Sequence, residues 1–85
     1  MIYYVDTIEQ VKGENDTVNE YGKREQSKTS YEATLSKYFT KLANVSNDII
    51  TPETPDKNHY YMDIRIVDST GGVLKKDSIG TRQEG

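Results

Sequence analysis

Hydrophobic and polar residues alternate in the first part of the chain, and this pattern predicts a β-hairpin. Residues 2–11, IYYVDTIEQV, are rich in β-branched and aromatic side chains. A polar, glycine-containing cluster follows at 12–16 and is typical of a turn. Residues 17–24 are more polar and are predicted to pair back onto the first strand as an edge strand.

The alternation is clearest in residues 59–68, HYYMDIRIVD, which predict a second hairpin with the turn that follows them. Side chains alternate between the two faces of a strand, so one set of positions is expected to face the core. The expected core positions are Tyr60, Met62, Ile64 and Ile66. Residues 69–72 supply the small, flexible side chains of a tight turn, and residues 73–79 are predicted to return as an antiparallel strand.

Between the two hairpins, hydrophobic residues recur at helical spacing. Thr29 followed by Glu32 matches a capping box, which predicts where the helix begins. Six residues then recur at intervals of three and four and form one stripe: Tyr31, Leu35, Tyr38, Leu42, Val45 and Ile49. Phe39 is expected to widen this stripe. We interpret the stripe as a core face, because a coiled-coil seam continues for three or four heptads.

The order strand, strand, helix, strand, strand predicts an α+β fold with a single helix packed on one face of a small antiparallel sheet. The 85 residues suffice for one domain, which we place at residues 1–79. Residues 80–85 have little to bury and are expected to form a frayed tail. Prolines at 52 and 55 predict an extended connector at 51–58.

Composition and charge narrow the function classes. The chain has no cysteine, which excludes disulfides and thiolate metal sites. A net charge of −3 argues against nonspecific nucleic-acid binding, whose affinity comes mainly from lysine and arginine. No apolar run is long enough to span a membrane, and the first residues lack a signal-peptide pattern. We therefore expect a cytoplasmic protein.

No cluster of residues in the sequence matches a catalytic or metal-binding motif. His59 is the one histidine, no second ligand lies at metal-site spacing, and we interpret it as structural. The carboxylates at 14, 16, 53 and 56 fall in predicted loops and are interpreted as solvated charges. Gly71 and Gly72 lack the lysine of a phosphate-binding loop. The sequence therefore predicts no enzyme activity, no metal and no cofactor.

Tyrosine is unusually frequent, with seven Tyr against one Phe and no Trp. Tyrosine combines a large apolar ring with a polar tip and is enriched at binding surfaces. Because one helix covers one face of a sheet, the other face is expected to carry Tyr3 or Tyr4, together with Tyr61, Arg65 and Val67. Such a patch predicts a partner, most simply a second copy of the chain. The alternative is that this face is simply exposed to solvent, as one face of many antiparallel sheets is.

The predicted binding residues fall into two groups. Tyr3, Tyr61, Arg65 and Val67 are the predicted contacts on the uncovered sheet face. The sequence also places a basic patch before the helix, and guanidinium groups bind phosphate through two hydrogen bonds. If the ligand is a nucleotide, the predicted anchors are Lys23, Arg24 and Lys28.

The opening IYYVDTIEQVKG, the helix SYEATLSKYFTKLANVSND and the closing HYYMDIRIVDSTGGVLKKDSIG resemble short proteins encoded by phages and prophages of Gram-positive bacteria. The resemblance covers residues 2–79 and rests on the layout of the elements, so it carries no catalytic residues over. It implies an anti-defence-like protein of the host bacterial cytoplasm that inhibits a host protein or sequesters a signalling nucleotide. The alternative that it implies is a small virion or assembly component.

Overall fold

The computed structural model describes residues 2–27 and 30–84, and in this range it contains one helix and four strands. The elements are β1 (Tyr3–Lys12), β2 (Val18–Ser27), α1 (Tyr31–Ser46), β3 (His59–Asp68) and β4 (Val73–Gly80). The antiparallel sheet has the spatial order β2-β1-β3-β4, and the helix follows β2 in the chain. The predicted α+β class and the order of the elements are confirmed.

Both hairpin turns contain residues whose backbone lies in the left-handed region. Asn15 and Asp16 have φ values of 57° and 59° in the short 3-10 turn that joins β1 to β2. Gly71 has φ 90° in the turn between β3 and β4. In that turn the carboxylate of Asp68 accepts hydrogen bonds from the Thr70 hydroxyl and from the backbone N–H groups of Thr70 and Gly72. These hydrogen bonds lower the pKa of Asp68.

The helix begins one residue later than the capping box predicts. Ser30 is the N-cap residue, and its hydroxyl oxygen accepts a hydrogen bond from the N–H of Ala33 at 3.3 Å. Thr29, the predicted cap, lies outside the described residues, and the residue three positions after the N-cap residue is Ala33 rather than Glu32. Serine and threonine are both favoured at the N-cap, so the presence of a side-chain hydroxyl does not by itself select between two adjacent positions.

The predicted apolar stripe of α1 packs on the central strands β1 and β3. Tyr38 and Val45 are buried in the core, and Ile49 lies just after the helix, where it forms an isolated parallel bridge with His59. The buried sheet residues beneath the stripe are Val5, Met62, Ile64 and Ile66. The prediction that Phe39 widens the stripe is wrong, because its side chain is 49% exposed.

The edge strands β2 and β4 extend beyond the helix on either side. Most residues of β2 are exposed, as the sequence predicts for an edge strand. The helix therefore covers the middle of one sheet face and leaves the other face open.

The helix has 16 residues, and in the described ranges no helix is long and apolar enough to cross a membrane.

Candidate functional site

The sheet face turned away from α1 is termed the open face. Directly paired residues of antiparallel strands point to the same face, so the strand register arranges the side chains in rows across the sheet. One row contains Tyr4 and Val67, the next contains Asp6 and Arg65, and a third contains Ile8 paired with Gly22. The open face is therefore apolar in one row and charged in the next.

The charged row crosses all four strands. Arg24, Asp6, Arg65 and Lys76 are successive partners in the register. Arg24 donates from Nε and Nη2 to the two carboxylate oxygens of Asp6 at 2.8 and 2.7 Å, and its guanidinium carbon lies 4.6 Å from the centre of the Tyr4 ring. The hydrogen bonds to Asp6 raise the pKa of Arg24. Exposed ion pairs add little stability, so this row mainly holds side chains in position.

Beyond the charged row lies an apolar surface, termed the apolar end, which consists of Tyr4, Val67, Val73 and Leu74. Val67 pairs with Tyr4 on β1 and with Val73 on β4, and a β-bulge in β4 inserts Leu74. Val73 and Leu74 are 47% and 46% exposed, whereas Val67 is buried between its neighbours. A shallow depression of about 370 Å³ beside them is lined by Arg65, Val73, Leu74, Lys75 and Lys76.

The opposite end of the open face is covered by residues 81–84, termed the strap. The side-chain amide of Gln10 accepts a hydrogen bond from the Gln83 N–H at 2.7 Å and donates one to the Gln83 carbonyl at 3.0 Å. The guanidinium of Arg82 lies 5.7 Å from the centre of the Tyr61 ring and donates to Glu20 at 2.9 Å. This part of the face is therefore closed by the chain itself.

The strap differs from the frayed tail that the sequence predicts for residues 80–85. Gly80 is the last residue of β4, and the N–H of Thr81 continues the pairing by donating to the Tyr60 carbonyl at 2.9 Å. Gln10, the partner of the strap, lies 73 residues before Gln83 in the sequence, and only the fold brings the two together. The sequence of residues 80–85, considered alone, gives no indication of that contact.

The structure corrects the prediction that Tyr3 lies on the uncovered sheet face. It lies on the helix face, where its ring centre is 5.7 Å from that of Tyr31 in an edge-on arrangement, and it packs against the core. Tyr4 takes its place on the open face. Alternation along a strand shows that neighbours point to opposite faces, but the pairing of the next residue, Val5, with Ile66 decides which face is buried.

The predicted basic patch is also corrected. Lys23 and Arg24 are neighbours in β2 and therefore point to opposite faces of the sheet. Arg24 belongs to the charged row, whereas Lys23 faces the helix side. Lys28 lies outside the described residues. Lys23 and Arg24 therefore do not form a single anchor for a nucleotide.

The other predicted contacts, Tyr61, Arg65 and Val67, do lie on the open face. Arg65 is exposed and donates from Nε to Asp63 at 3.0 Å. Tyr61 is half-buried beneath Arg82, and Val67 forms the floor of the apolar end. The prediction did not include Val73 and Leu74. Their signal in the sequence was two adjacent apolar residues directly after the turn, which breaks the alternation expected of a strand.

A second cluster on the helix side surrounds His59. Its Nδ1 lies 2.6 Å from Oδ2 of Asp48, its Nε2 lies 2.9 Å from Oε1 of Glu9, and the ammonium of Lys41 lies 3.2 Å from the same Glu9 oxygen. The hydrogen bond from His59 lowers the pKa of Asp48. Burial acts to raise the pKa of Glu9, but the hydrogen bonds from His59 and Lys41 outweigh it, so that pKa is lowered.

The sequence motifs did not reveal this cluster, because Glu9 and Asp48 reach His59 only through the fold. Both ring nitrogens of the imidazole lie within hydrogen-bonding distance of a carboxylate oxygen. In the described part of the chain, no group of three or more histidine, aspartate or glutamate side chains is arranged so that it could hold a metal ion. The cluster joins β1, β3 and the end of α1, and its chemistry is that of a structural ion-pair network.

In comparisons with known proteins, no family model, no curated protein and no solved structure matches this chain. The resemblance to phage and prophage proteins therefore stays a prediction.

Proposed function

We propose that this chain is a non-enzymatic binding protein that docks on a protein partner through the apolar end of the open face and blocks that partner by covering it. The observation that carries the proposal is the pair of half-exposed side chains Val73 and Leu74 beside Tyr4. Small proteins tend to expose apolar side chains singly, and a contiguous apolar patch is typical of an interaction site.

The charges around the apolar end support a partner of particular chemistry. Arg65 and Lys76 border the depression on the side of the charged row, whereas the ammonium of Lys75 lies over the Tyr38 and Phe39 rings on the helix side. Lys76 forms no ion pair with any described residue. A partner surface with an apolar centre and carboxylates at its rim would complement this arrangement. On the resemblance stated above, that partner is a protein of a Gram-positive host cytoplasm.

The size of the apolar contact sets the expected effect of a mutation. Burying a complete valine or leucine side chain contributes roughly 1.5–3 kcal/mol. Because Val73 and Leu74 are about half exposed, docking would bury about half of each, which corresponds to about 1 kcal/mol per residue. Replacing both with serine should therefore weaken binding about thirtyfold.

The test compares three baits on lysate of a Gram-positive bacterium: the wild-type chain, Val73→Ser/Leu74→Ser, and the control Tyr21→Ser. Tyr21 is 56% exposed on the opposite edge strand, so it matches the exposure but not the position. The proposal is supported if the wild type and the control retain the same protein in a constant ratio to the bait and the double variant does not retain it. A protein that the double variant retains equally well would contradict the proposal.

A second copy of the chain is the other partner expected from the sequence, and light-scattering chromatography separates the two cases. The proposal predicts a monomer for the wild type and for both variants. A wild-type dimer that Val73→Ser/Leu74→Ser converts to a monomer would assign the apolar end to self-association instead. Thermal melting of each variant confirms that the substitution has not unfolded the chain.

A further inference from the structure

A groove lies between α1 and the edge strand β2, on the face of the sheet opposite to the open face. It exists because the helix packs on β1 and β3 and leaves the helix-side residues Lys23 and Glu25 of β2 exposed, although it covers Ser27 at the end of that strand. Its inner part is a small pocket lined by Val5, Thr7, Lys23, Glu25, Lys37 and Lys41. Beside it lies a larger, shallow depression of about 340 Å³, whose lining shares Glu25, Lys37 and Lys41 with the pocket.

Three ammonium groups line the inner pocket with a single carboxylate, that of Glu25. Lys37 and Lys41 lie four residues apart on α1, a spacing at which like charges repel. Lys41 is paired with Glu9, but Lys23 and Lys37 form no ion pair with any of the described residues. The groove therefore holds two cations that an anionic ligand would neutralise.

The helix wall of the groove also presents hydrogen-bonding side chains. Ser36, Thr40 and Asn44 line the outer cavity beside Lys37 and Lys41. Ser36, Thr40 and Asn44 recur every four residues, so the wall they form is about 12 Å long at the rise of an α-helix. No side-chain hydrogen bond joins these three residues to the rest of the described chain, and their polar groups are available to a ligand.

We propose that this groove binds a small phosphate-bearing ligand of the mononucleotide class. The phosphate would lie in the inner part between Lys23 and Lys37, since ammonium groups bind phosphate as point charges. The sugar and base would lie along the hydroxyl-bearing wall, with Glu25 as an acceptor for hydroxyl or amino groups.

The site is independent of the protein-binding function proposed above, because it lies on the other side of the sheet. It also replaces the nucleotide anchor expected from the sequence. Lys23 is kept, but its companions are the helix lysines Lys37 and Lys41 rather than Arg24 and Lys28.

The test is a titration of the ¹⁵N-labelled chain with adenosine 5′-monophosphate, followed by backbone amide shifts. We expect saturable shifts at residues lining the groove, notably Thr7, Lys23 and Lys37. Inorganic phosphate should shift the amides around the inner pocket more weakly, and adenosine should not bind. Added salt should weaken the binding of the nucleotide to the groove, since salt screens the charges of lysines that lie close to the surface.

Lys23→Ala and Lys37→Ala should each weaken nucleotide binding about tenfold, as loss of one charge-assisted contact implies. The matched control is Lys76→Ala, an exposed lysine on the open face, which should leave the dissociation constant unchanged. Absence of saturable shifts at millimolar nucleotide would overturn the proposal. So would equal weakening by Lys76→Ala, and inorganic phosphate binding as tightly as the nucleotide would overturn the assignment to nucleotides.

Discussion

The hydrogen bond between Tyr38 and Asp77 gives a sharp test of how the core is held together. Tyr38 is 0% exposed, and its hydroxyl donates to a carboxylate oxygen of Asp77 on β4. Burial, followed by this hydrogen bond, raises the pKa of Tyr38, so the hydroxyl remains a donor. The Asp77 side chain is 40% exposed and can reach water. Asp77 can therefore be hydrated when Tyr38 loses its hydroxyl, whereas the buried Tyr38 hydroxyl has no replacement acceptor when Asp77 is removed.

Tyr38→Phe removes the donor, and water can then hydrate Asp77, so we expect a loss of about 1 kcal/mol in the free energy of unfolding. Asp77→Ala removes the acceptor and leaves a buried hydroxyl unsatisfied, for which we expect a loss of about 2 kcal/mol. The Lys75–Asp77 ion pair, 3.8 Å long and exposed, adds little to that value. The difference corresponds to roughly 4–8 °C in melting temperature for a domain of this size.

Urea denaturation of the two single variants and of the double variant measures these values, with Asp77→Asn as the control that keeps an acceptor. The double variant should be no less stable than Asp77→Ala, because removing the orphaned hydroxyl also removes its penalty. If Tyr38→Phe destabilises the chain as much as Asp77→Ala, or if the two losses add, the hydroxyl is not sealed from water and the reasoning fails.

The remaining predictions concern acid sensitivity, one glycine and the strap. The imidazole hydrogen bond lowers the pKa of Asp48, so its stabilising effect is complete above the unfolded-state value of about 3.9 and is lost as the pH falls through the lower folded-state value. Urea titrations should show Asp48→Asn about 1 kcal/mol less stable than the wild type at about pH 5–6, with a gap that closes in acid; a constant gap would contradict this. At Gly80, φ is +78° and a Cβ would lie 2.2 Å from a backbone carbonyl oxygen, so Gly80→Ala should lower stability by about 2 kcal/mol. Gly22→Ala, with open space at its Cβ, should leave the melting temperature unchanged or slightly raised, and equal melting temperatures for the two variants would refute the argument. In Gln10→Ala, the backbone amide of Gln83 loses the side-chain oxygen to which it donates in the wild type, so its hydrogen exchange should become faster. Exchange as slow as in the wild type would mean that other contacts hold the strap.

Much of the fold could be predicted because its signals are local. The alternation HYYMDIRIVD places β3 at the residues that the structure assigns to it, His59–Asp68. The apolar stripe of α1 identifies the core residues, since a helix that buries one face must repeat them at its own period. The N-cap could not be placed to the residue, because Thr29 and Ser30 carry equivalent hydroxyls in adjacent positions.

The candidate sites could be predicted only in part. Arg65 and Val67 follow from alternation in a strand whose core face was clear from Met62 and Ile64. Tyr3 was placed on the wrong face because β1 carries tyrosines at two adjacent positions, Tyr3 and Tyr4, and either phase fits the pattern. The register of β1 against β3 decides between them.

The sequence by itself determined the class of fold, the order of its elements, the helix stripe and the buried side of β3, because each depends on residues close together in the chain. Tertiary structure decided which side chains share a surface. It brought Gln83 to Gln10, Glu9 and Asp48 to His59, and Lys23 to the lysines of α1. These contacts depend on strand order, register and the position of the helix over β1 and β3. Those features are set by packing the whole core at once, so no single segment encodes them.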